Sequence, residues 1–401
     1  MELMIFWKYL FFAAIATLFF NYIGYALLIY PFVRLKRKYR KPKMYNDTEL
    51  PSVSFIVAAY NEENCIRQKL ENSLEQEYPA AQIEFIFITD GSTDRTPEII
   101  KQYSRVKLLH QSARAGKTEA LNRAVAIAAG EVLIFSDANT ILNKQACRNI
   151  ARHYADENVG GVAGEKKVVE SFETTDTKSG SEGLYWKYES FLKKIDSDFY
   201  SVVGAAGELF SIRTSLYESI NRNVILDDFV LSMKTAQKGY RIVYEPEACA
   251  SELPSFSVAE EQKRKIRIGA GGYQSIVMLR SMFAFWKYPS LFYLYFSHRF
   301  LRWAVSPYML IVCILANIVL VTIYTAGSFY VLILFMQIIF YLLALKGYWQ
   351  REQQQSGLAK ICYYFLFMNL SVILGLFRYL RGGQSAAWEK AKRRETAHPS
   401  H

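Results

Sequence analysis

The chain has 401 residues, which is too long for one ordinary globular core and predicts two or three structural units. Its residues are 51% hydrophobic but also 21% charged, which disfavours a protein embedded entirely in the membrane and predicts a soluble domain joined to membrane spans. The net charge is +11, yet no basic stripe interleaved with aromatic residues crosses the soluble part, so nucleic-acid binding is disfavoured. The five scattered cysteines include no Cys-x-x-Cys pair and no zinc spacing, which suits a reducing cytosol.

The N-terminal segment is apolar and carries no charge from Leu10 to Val33. About 20 such residues are enough to span a bilayer, and no small-residue cleavage site follows, so residues 1–33 are predicted to be an uncleaved anchor with its N-terminus outside. Residues 34–50 are predicted to be a basic cytosolic linker that contacts anionic membrane lipids. Its seven basic residues are Arg34, Lys36, Arg37, Lys38, Arg40, Lys41 and Lys43.

Residues 51–255 change character, because short β-branched and aromatic runs alternate with helical patterns. Strand, helix and strand in repetition predict an α/β domain with a mostly parallel sheet covered by helices. The predicted strands are SVSFIVAAY, IEFIFITD, VKLLHQ, EVLIFSDAN and RIVYEPEA. The predicted helices between them are EENCIRQKLENSLEQE, PEIIKQYS and KTEALNRAVAIAAG.

The C-terminal part begins with a helix start at Ser257, where SVAE fits a capping box. Residues 256–296 are predicted to form amphipathic helices in the membrane interface, and residues 297–380 to hold further membrane segments. Residues 381–401 are a basic tail. With the N-terminus outside, one span before the soluble domain and three after it would place this basic tail outside as well. The positive-inside rule disfavours that arrangement. Either one late segment is interfacial or re-entrant, or the N-terminus lies inside.

Three acidic motifs stand at or just beyond the ends of apolar runs: AAYNEE (58–63), TDGSTD (89–94) and SDAN (136–139). In open α/β sheets the ligand crevice lies outside the carboxyl ends of the strands, so these motifs are predicted to converge on one crevice. Arg114 and Lys117 fall between the second and third motifs. Each motif alone is compatible with a turn or a helix start, and the prediction depends on their joint occurrence.

The ordered motifs FIVAAYNEE, FITDGSTDRT, GKTEALN, FSDANT and DDFVLSMKTAQKGYRIVYEPEA resemble the family 2 glycosyltransferases of the Rossmann-like GT-A fold. The resemblance covers residues 51–274 and is greatest to the membrane members, such as hyaluronan, chitin, cellulose and poly-N-acetylglucosamine synthases. It implies an enzyme, a hexosyltransferase that uses a nucleotide-sugar donor.

The resemblance assigns the donor side. Asp90 matches the nucleoside-binding aspartate and is followed by Gly91, while Ala58, Tyr60 and Glu62 match the loop around the base. Lys117 matches a basic residue near the donor, and Asp137 matches the first acid of the Asp-x-Asp pair that faces ribose and metal. The second acid is replaced by Asn139, whose amide oxygen is still a hard ligand suited to Mg²⁺ or Mn²⁺ but is uncharged.

On the acceptor side, the resemblance implies that Asp228 is the catalytic base and that Asp227 supports it, although two acids also suit a helix N-terminus. Gly207 and Glu208 match the segment near the acceptor sugar. Trp388 in the tail resembles a C-terminal feature of the family and is predicted to be on the acceptor side.

The family's Gln-x-x-Arg-Trp motif is altered in this chain. Aligned on the following glycines, Arg267 takes the arginine position, Arg264 the glutamine position and Ile268 the tryptophan position. An alternative register on Gln262 places Lys265 at the arginine position. The first register keeps an arginine for bidentate contact with diphosphate, and it predicts that Arg264 and Arg267 are both on the donor side. The missing tryptophan weakens the prediction of processive synthesis.

These observations predict a membrane-bound inverting glycosyltransferase that moves a sugar from a UDP-sugar to a polysaccharide or lipid-linked acceptor. It is expected to be integral to the plasma or inner membrane, with its catalytic domain cytosolic, and a need for a partner subunit stays open. A transferase that adds a single sugar to a lipid is the first alternative. A nucleotide-sugar-binding scaffold without activity, favoured only by Asn139, is the second.

Overall fold

The computed structural model describes residues 1–39, 44–46, 49–169, 181–254, 257–325, 327–351 and 357–382, and for residues 181–184 it describes the backbone alone. Its central feature is one eight-stranded sheet. The strands are β1 Val53–Ala59, β2 Ile83–Asp90, β3 Val106–Gln111, β4 Val132–Asp137, β5 Ile141–Leu142, β6 Val159–Val168, β7 Leu209–Arg213 and β8 Arg241–Glu252.

The sheet has the order β3-β2-β1-β4-β7-β6-β8-β5. Its first four strands are parallel, β7 is antiparallel to both of its neighbours, and β6 and β8 are again parallel. The mostly parallel α/β sheet predicted from the sequence is therefore confirmed. All five predicted strands are present, and β1, β2 and β4 among them are continuous apolar runs that the sheet buries.

Helices cover the sheet and extend beyond it. Two large apolar cores pack against the sheet: one includes Ile56, Phe135 and Phe210, and the other includes Phe55, Phe87 and Ile134. Alternate residues of each buried strand thus serve opposite faces, as the two-residue period of a strand requires. The α-helices are α1 Glu2–Phe19, α2 Tyr25–Tyr39, α3 Ile66–Leu74, α4 Thr96–Lys101, α5 Lys117–Val125, α6 Ala146–Arg152, α7 Ser181–Phe199, α8 Asp227–Gln237, α9 Val258–Met278, α10 Pro289–Leu294, α11 Ser306–Thr322, α12 Ser328–Trp349 and α13 Leu358–Leu380.

Short helical segments complete the chain. Phe20–Gly24 and Tyr295–Val305 are π-helical, and His153–Ala155, Thr214–Leu216 and Arg280–Phe283 are 3₁₀ turns. The sequence did not predict β5, β6 and β7. Strand β6 begins with VGGVAG, whose glycines and alanine do not predict a strand. Glycine is needed there because neighbouring groups approach closely. A Cβ on Gly161 would lie 2.8 Å from the Ser211 carbonyl oxygen.

Four helical runs among the described residues are long and apolar enough to cross a membrane. They agree in number with the one run predicted before the soluble domain and the three predicted after it. The second run crosses residue 296, the predicted boundary between interfacial and membrane segments. The runs are Glu2–Tyr39, Pro289–Thr322, Ser328–Trp349 and Leu358–Leu380.

The first part of the basic segment, residues 34–39, is helical and contacts the sheet domain, while Arg40, Lys41 and Lys43 lie outside the described residues. Arg37 forms an ion pair with Asp198, and the Lys36 ammonium donates a hydrogen bond to the Phe199 carbonyl. Both partners lie at the C-terminal end of α7. At least two of the cations expected to contact lipid therefore join the first membrane run to the sheet domain.

Helix α9 begins as predicted, since the Ser257 hydroxyl accepts a hydrogen bond from the Glu260 backbone N–H. It packs closely along α13 through glycines. A Cβ on Gly375 would lie 2.7 Å from the Ala270 nitrogen, and a Cβ on Gly269 would lie 3.1 Å from the Ser371 carbonyl oxygen. The two backbones thus approach to a distance that only glycine permits.

We predict that Gly375→Ala weakens this contact, because the added methyl overlaps backbone atoms of α9 that have no room to yield. The expected loss of stability is about 1–3 kcal/mol, measured as a lower midpoint of thermal unfolding in detergent. Leu370→Ala is the control, since Leu370 lies on the same helix and is 51% exposed. Equal midpoints for Gly375→Ala and wild type would contradict this account of the helix pair.

Candidate active site

Parallel pairing brings three predicted motifs to one edge of the sheet. Strand β1 lies between β2 and β4, and Ala58 is in register with Ile88 on one side and Asp137 on the other. The carboxyl ends of these strands carry Tyr60 and Glu62, Asp90 and Asp137. The motifs predicted to converge on one crevice thus share this edge of the sheet.

Asp90 holds the loop that follows β3. Its buried carboxylate accepts hydrogen bonds from the backbone N–H groups of Ala115 at 3.0 Å and Gly116 at 2.6 Å, and from the Arg123 guanidinium at 3.1 Å. Gly91, with φ +70°, turns the chain immediately after it. Charge-assisted bonds of this kind fix the loop that leads into Lys117.

The loop around Tyr60 is bonded to the segment after Gly91. The backbone N–H of Glu62 donates to the Thr96 hydroxyl at 2.8 Å, and that of Glu63 donates to the Asp94 carboxylate at 3.1 Å. The Arg114 guanidinium lies 3.9 Å from the centre of the Tyr60 ring, in cation–π contact. The first two motifs and the basic loop therefore form one bonded unit beside the crevice.

Lys117 and Asp137 meet at the centre of the edge. Lys117 is the first residue of α5, and its ammonium lies 2.6 Å from Asp137 Oδ1 at the end of β4. Burial lowers the pKa of Lys117, but the carboxylates of Asp137, Asp227 and Asp228 outweigh it and raise the pKa well above its usual value. Lys117 is therefore a permanent cation among three acids.

Asp227 and Asp228 are the first two residues of α8, where carboxylates are favoured by the helix dipole. A Cβ on Gly207 would lie 3.2 Å from Asp228 Oδ2 and 3.5 Å from the Lys117 ammonium, so these three residues adjoin one another. Burial, then the neighbouring Asp227 charge, raises the pKa of Asp228 to about 7, although Lys117 opposes the shift. A carboxyl with this pKa can accept a proton near neutral pH.

Glu208 belongs to a buried ion cluster beside this group. Lys166 forms ion pairs with both Glu208 and Glu252, and the Arg264 guanidinium lies 3.3 Å from an oxygen of each. Burial raises the pKa of Glu208, but Lys166 and Arg264 outweigh burial and the Glu252 charge and bring it to about 2. Arg264 thus bonds to the acceptor-side glutamate, a contact that the predicted donor-side role did not anticipate.

The remaining predicted residues lie on α9 or outside the described residues. Arg267 and Ile268 are half-buried on α9, one turn beyond Arg264. Lys265, the alternative from the second register, is buried and lies 5.5 Å from the centre of the Trp186 ring. Lys166 lies 4.9 Å from the same ring, so an indole does stand beside the ion cluster. Trp388 is outside the described residues.

Comparison with known proteins assigns part of the chain to a family. Residues 54–220 match the family model Glycosyl transferase family 2. This segment is a family 2 glycosyltransferase domain. The family predicted from the sequence motifs is thereby confirmed.

Relatives of this chain include a probable glycosyltransferase, YdaM, of Bacillus subtilis (strain 168), 26% identical over 63% of this chain and 64% of that one. Another is the poly-beta-1,6-N-acetyl-D-glucosamine synthase of Staphylococcus aureus (strain MSSA476), 28% identical over 61% of this chain and 60% of that one. The chain is thus matched to less than two thirds of the length of these curated relatives.

A solved structure shares the fold over nearly the whole chain. It is the mannosyltransferase PcManGT from Pyrobaculum calidifontis in complex with GDP-Man and Mn²⁺, with a TM-score of 0.68 and 22% identity, covering 93% of this chain and 99% of that one. The shared fold extends beyond the residues of the family model to the helices that flank the domain.

The glycosyltransferase site could hold a divalent cation through two of its residues. Asp137 offers a carboxylate and Asn139, two residues on in the same turn, an amide oxygen, and both are hard ligands that suit Mg²⁺ or Mn²⁺. No group of three or more His, Cys, Asp or Glu side chains that could hold a metal occurs among the described residues. The residues therefore fit a cation whose coordination is completed by phosphate oxygens of a donor.

Sequence reasoning missed Lys69, which lies fully buried beneath the Asp137–Asn139 turn. Its ammonium donates hydrogen bonds to the Ser136 hydroxyl at 2.7 Å and the Thr140 carbonyl at 2.9 Å. Ser136 in turn donates to the Glu208 carbonyl at 3.1 Å. Burial lowers the pKa of Lys69 to about 7, although the Asp137 charge opposes the shift. The available signal was its position three residues after Ile66 on the apolar face of α3.

We predict that Lys69→Ala destabilises the protein by about 2–4 kcal/mol, because it leaves a cavity and removes the donor for two buried oxygens. The measurement is the midpoint of thermal unfolding at pH 8. Gln68→Ala, one position along on the exposed face of α3, is the matched control and is expected to be neutral. A Lys69→Ala protein that melts with the control would show that this lysine does not support the turn.

Proposed function

We propose that the protein is a membrane-bound inverting glycosyltransferase that moves a sugar from a nucleotide-sugar donor, a UDP-sugar, to a polysaccharide or lipid-linked acceptor. The observation that carries this proposal is the meeting of Lys117, Asp137 and Asp228 at one edge of a family 2 domain. The name of the S. aureus relative, a polysaccharide synthase, supports a sugar acceptor. Because the solved neighbour holds GDP-Man, GDP-sugars belong in the tests as well.

Asp228 is proposed as the base. Inverting transfer requires the acceptor hydroxyl to lose its proton as it attacks the anomeric carbon. The raised pKa of Asp228 suits this transfer, and the Asp227 charge beside it contributes to the shift. Gly207 leaves the Asp228 carboxylate open on one side, where an acceptor hydroxyl could approach.

Lys117 and Asp137 are proposed to hold the diphosphate of the donor. A divalent cation bound by Asp137 and Asn139 would supply positive charge to the leaving diphosphate. The Lys117 ammonium, 2.6 Å from Asp137, adds a fixed cation at the same place. Arg267 remains the residue proposed to reach the diphosphate from α9.

The nucleoside is proposed to bind where Ala58, Tyr60, Glu62, Asp90 and Gly91 meet. These loops are held together by the hydrogen bonds of Asp90 and by the Arg114–Tyr60 contact, so the surface that would bind the base is ordered before the donor binds. The acceptor sugar is proposed to bind beside Gly207, Glu208 and Arg264, next to the indole of Trp186.

The four long apolar runs are proposed to hold the protein in the plasma or inner membrane, with the catalytic domain in the cytosol, where nucleotide sugars are made. Arg37 and Lys36 attach the first run to the domain. This attachment would keep the acceptor side of the domain at the membrane surface.

A transferase that adds one sugar to a lipid is the second proposal, and Ile268 favours it, since an aliphatic residue stands where the synthases carry a tryptophan. The test is UDP release by the purified protein in nanodiscs, with a panel of UDP- and GDP-sugars and Mn²⁺ or Mg²⁺, followed by sizing of the product. A polymer supports the synthase, and a single added sugar supports the lipid transferase. Donor binding without turnover under every condition would contradict both.

We predict that Asp228→Asn lowers the rate of sugar transfer by about 10²–10⁴-fold, because the amide cannot accept the proton. Glu75→Gln, an exposed carboxylate 3.8 Å from the Lys144 ammonium, is the control for removal of a carboxylate elsewhere in the domain. Transfer by Asp228→Asn at the rate of this control would exclude Asp228 as the base.

The pH dependence follows from the pKa of about 7 for Asp228. The base must be ionised, so kcat/KM is expected to fall about tenfold for each pH unit below that value. Asp227→Asn removes a neighbouring negative charge that raises the pKa, and therefore moves the acid limb to lower pH. An acid limb that stays in place in Asp227→Asn would contradict the coupling of the two acids.

We also predict that Asn139→Asp strengthens metal binding, since a charged ligand replaces a neutral one. The half-saturating Mn²⁺ concentration for UDP binding should fall by about tenfold, and Asn139→Ala should raise it. Calorimetric titration of Mn²⁺ at fixed UDP measures both. If neither variant shifts the titration, Asn139 is not a ligand.

A further inference from the structure

A cavity of about 380 Å³ lies among the helices that are long enough to cross a membrane. It opens between the π-helical turn after α1, helix α7, the π-helix Tyr295–Val305 and helix α13. Its wall is largely aromatic and apolar, and includes Tyr22, Tyr185, Trp303, Tyr364, Phe365 and Met368. A volume of this size holds one flexible ligand of moderate size.

The polar groups of this wall are largely bonded to one another. The Tyr22 hydroxyl donates to Asn369 Oδ1 at 3.1 Å, and the Arg302 guanidinium lies 3.3 Å from the Tyr188 hydroxyl, which donates to the Tyr22 carbonyl. Tyr364 donates to Glu261, outside the cavity wall. A hydrated glycan needs hydrogen-bonding partners along its length, whereas a hydrocarbon chain needs none, so the wall suits hydrocarbon.

Two guanidiniums form the charged part of the wall. Arg302 and Arg299 both pair with Glu189, while the nearby Asp196 is bonded to His298. Arg302 is 91% buried (9% exposed), and both guanidinium-bearing side chains line the cavity. Arginine in such a position binds phosphate well, because its N–H groups match phosphate oxygens in pairs.

The cavity adjoins both sides of the catalytic site. The Trp303 ring packs on Phe229, with centroids 5.2 Å apart, and Phe229 follows Asp228 in α8. On the other side, the Tyr185 ring lies 5.7 Å from the Lys265 ammonium, on the helix that carries Arg264. A chain lying in the cavity would thus end close to the proposed acceptor position.

We propose that this cavity binds the single hydrocarbon chain of a lipid phosphate that carries the acceptor sugar, with its phosphate at Arg299 and Arg302. This rests on the proposed transferase function and assigns its acceptor to the lipid-linked class. In the reaction, an acceptor hydroxyl oxygen bonds to the anomeric carbon, the bond from that carbon to the donor β-phosphate oxygen breaks, and UDP leaves. The hydroxyl proton passes to Asp228.

The test is binding of farnesyl phosphate to the full chain in detergent, measured by native mass spectrometry beside farnesol and dioleoylphosphatidylglycerol. Met368→Trp fills the cavity, and Leu370→Trp adds the same ring on the exposed side of the same helix. We expect wild type and Leu370→Trp to bind farnesyl phosphate alike, Met368→Trp to bind it at least about tenfold more weakly, and farnesol to bind more weakly than its phosphate.

Ile361→Trp, also on the cavity wall, replaces Met368→Trp if that variant does not fold. Equal binding of farnesyl phosphate to wild type and to the filled variants overturns the proposal. So does a result in which dioleoylphosphatidylglycerol, the two-chain phospholipid, binds as well as farnesyl phosphate. If the filled variants lose binding of a soluble oligosaccharide but keep binding of farnesyl phosphate, the cavity binds a glycan instead. UDP binding is measured in parallel. If wild type does not bind UDP, the transferase function is contradicted, while the lipid-binding result for the cavity remains valid.

Discussion

The contact between the Lys117 ammonium and the Asp137 carboxylate is the interaction on which the catalytic arrangement depends. It joins the start of α5 to the end of β4, and it brings one fixed cation within the field of three acids, Asp137, Asp227 and Asp228. One positive charge against three negative ones leaves the site short of positive charge. Burial raises the pKa of Asp228, and the imbalance adds to this rise through the Asp227 charge. The same imbalance creates a need for further positive charge when a diphosphate is present.

The ion cluster around Glu208, on the proposed acceptor side, has balanced charges. Glu208 and Glu252 are balanced by Lys166 and Arg264, so this cluster is complete without a ligand. Lys69 and Ser136 connect it to the turn that carries Asp137. The contrast between a balanced cluster and an unbalanced one supports the proposal that the chemistry takes place at Asp137, Lys117 and Asp228, with Arg264 in a supporting position beside the proposed acceptor.

Much of the fold and of the catalytic crevice could be predicted from the sequence, because both follow from local patterns. Strands β1, β2 and β4 are continuous apolar runs, and parallel pairing then dictates that Tyr60, Asp90 and Asp137 share one edge. The rest depends on contacts between distant residues. One partner of Arg264 is Glu208, 56 residues away, and the indole beside this cluster is Trp186 on α7, which no motif marks. Lys69 resembles a solvent-exposed residue until the sheet buries it.

The central claim is that the donor diphosphate and its metal are held at Asp137, beside Lys117 and within reach of Asp228. A structure of the full chain with UDP and Mn²⁺ tests it most directly. The account predicts Mn²⁺ at about 2.0–2.5 Å from oxygens of Asp137 and Asn139, with the β-phosphate next to the Lys117 ammonium and Asp228 free of metal. Mn²⁺ bound by Asp227 and Asp228, or a diphosphate bound away from Lys117, would contradict it.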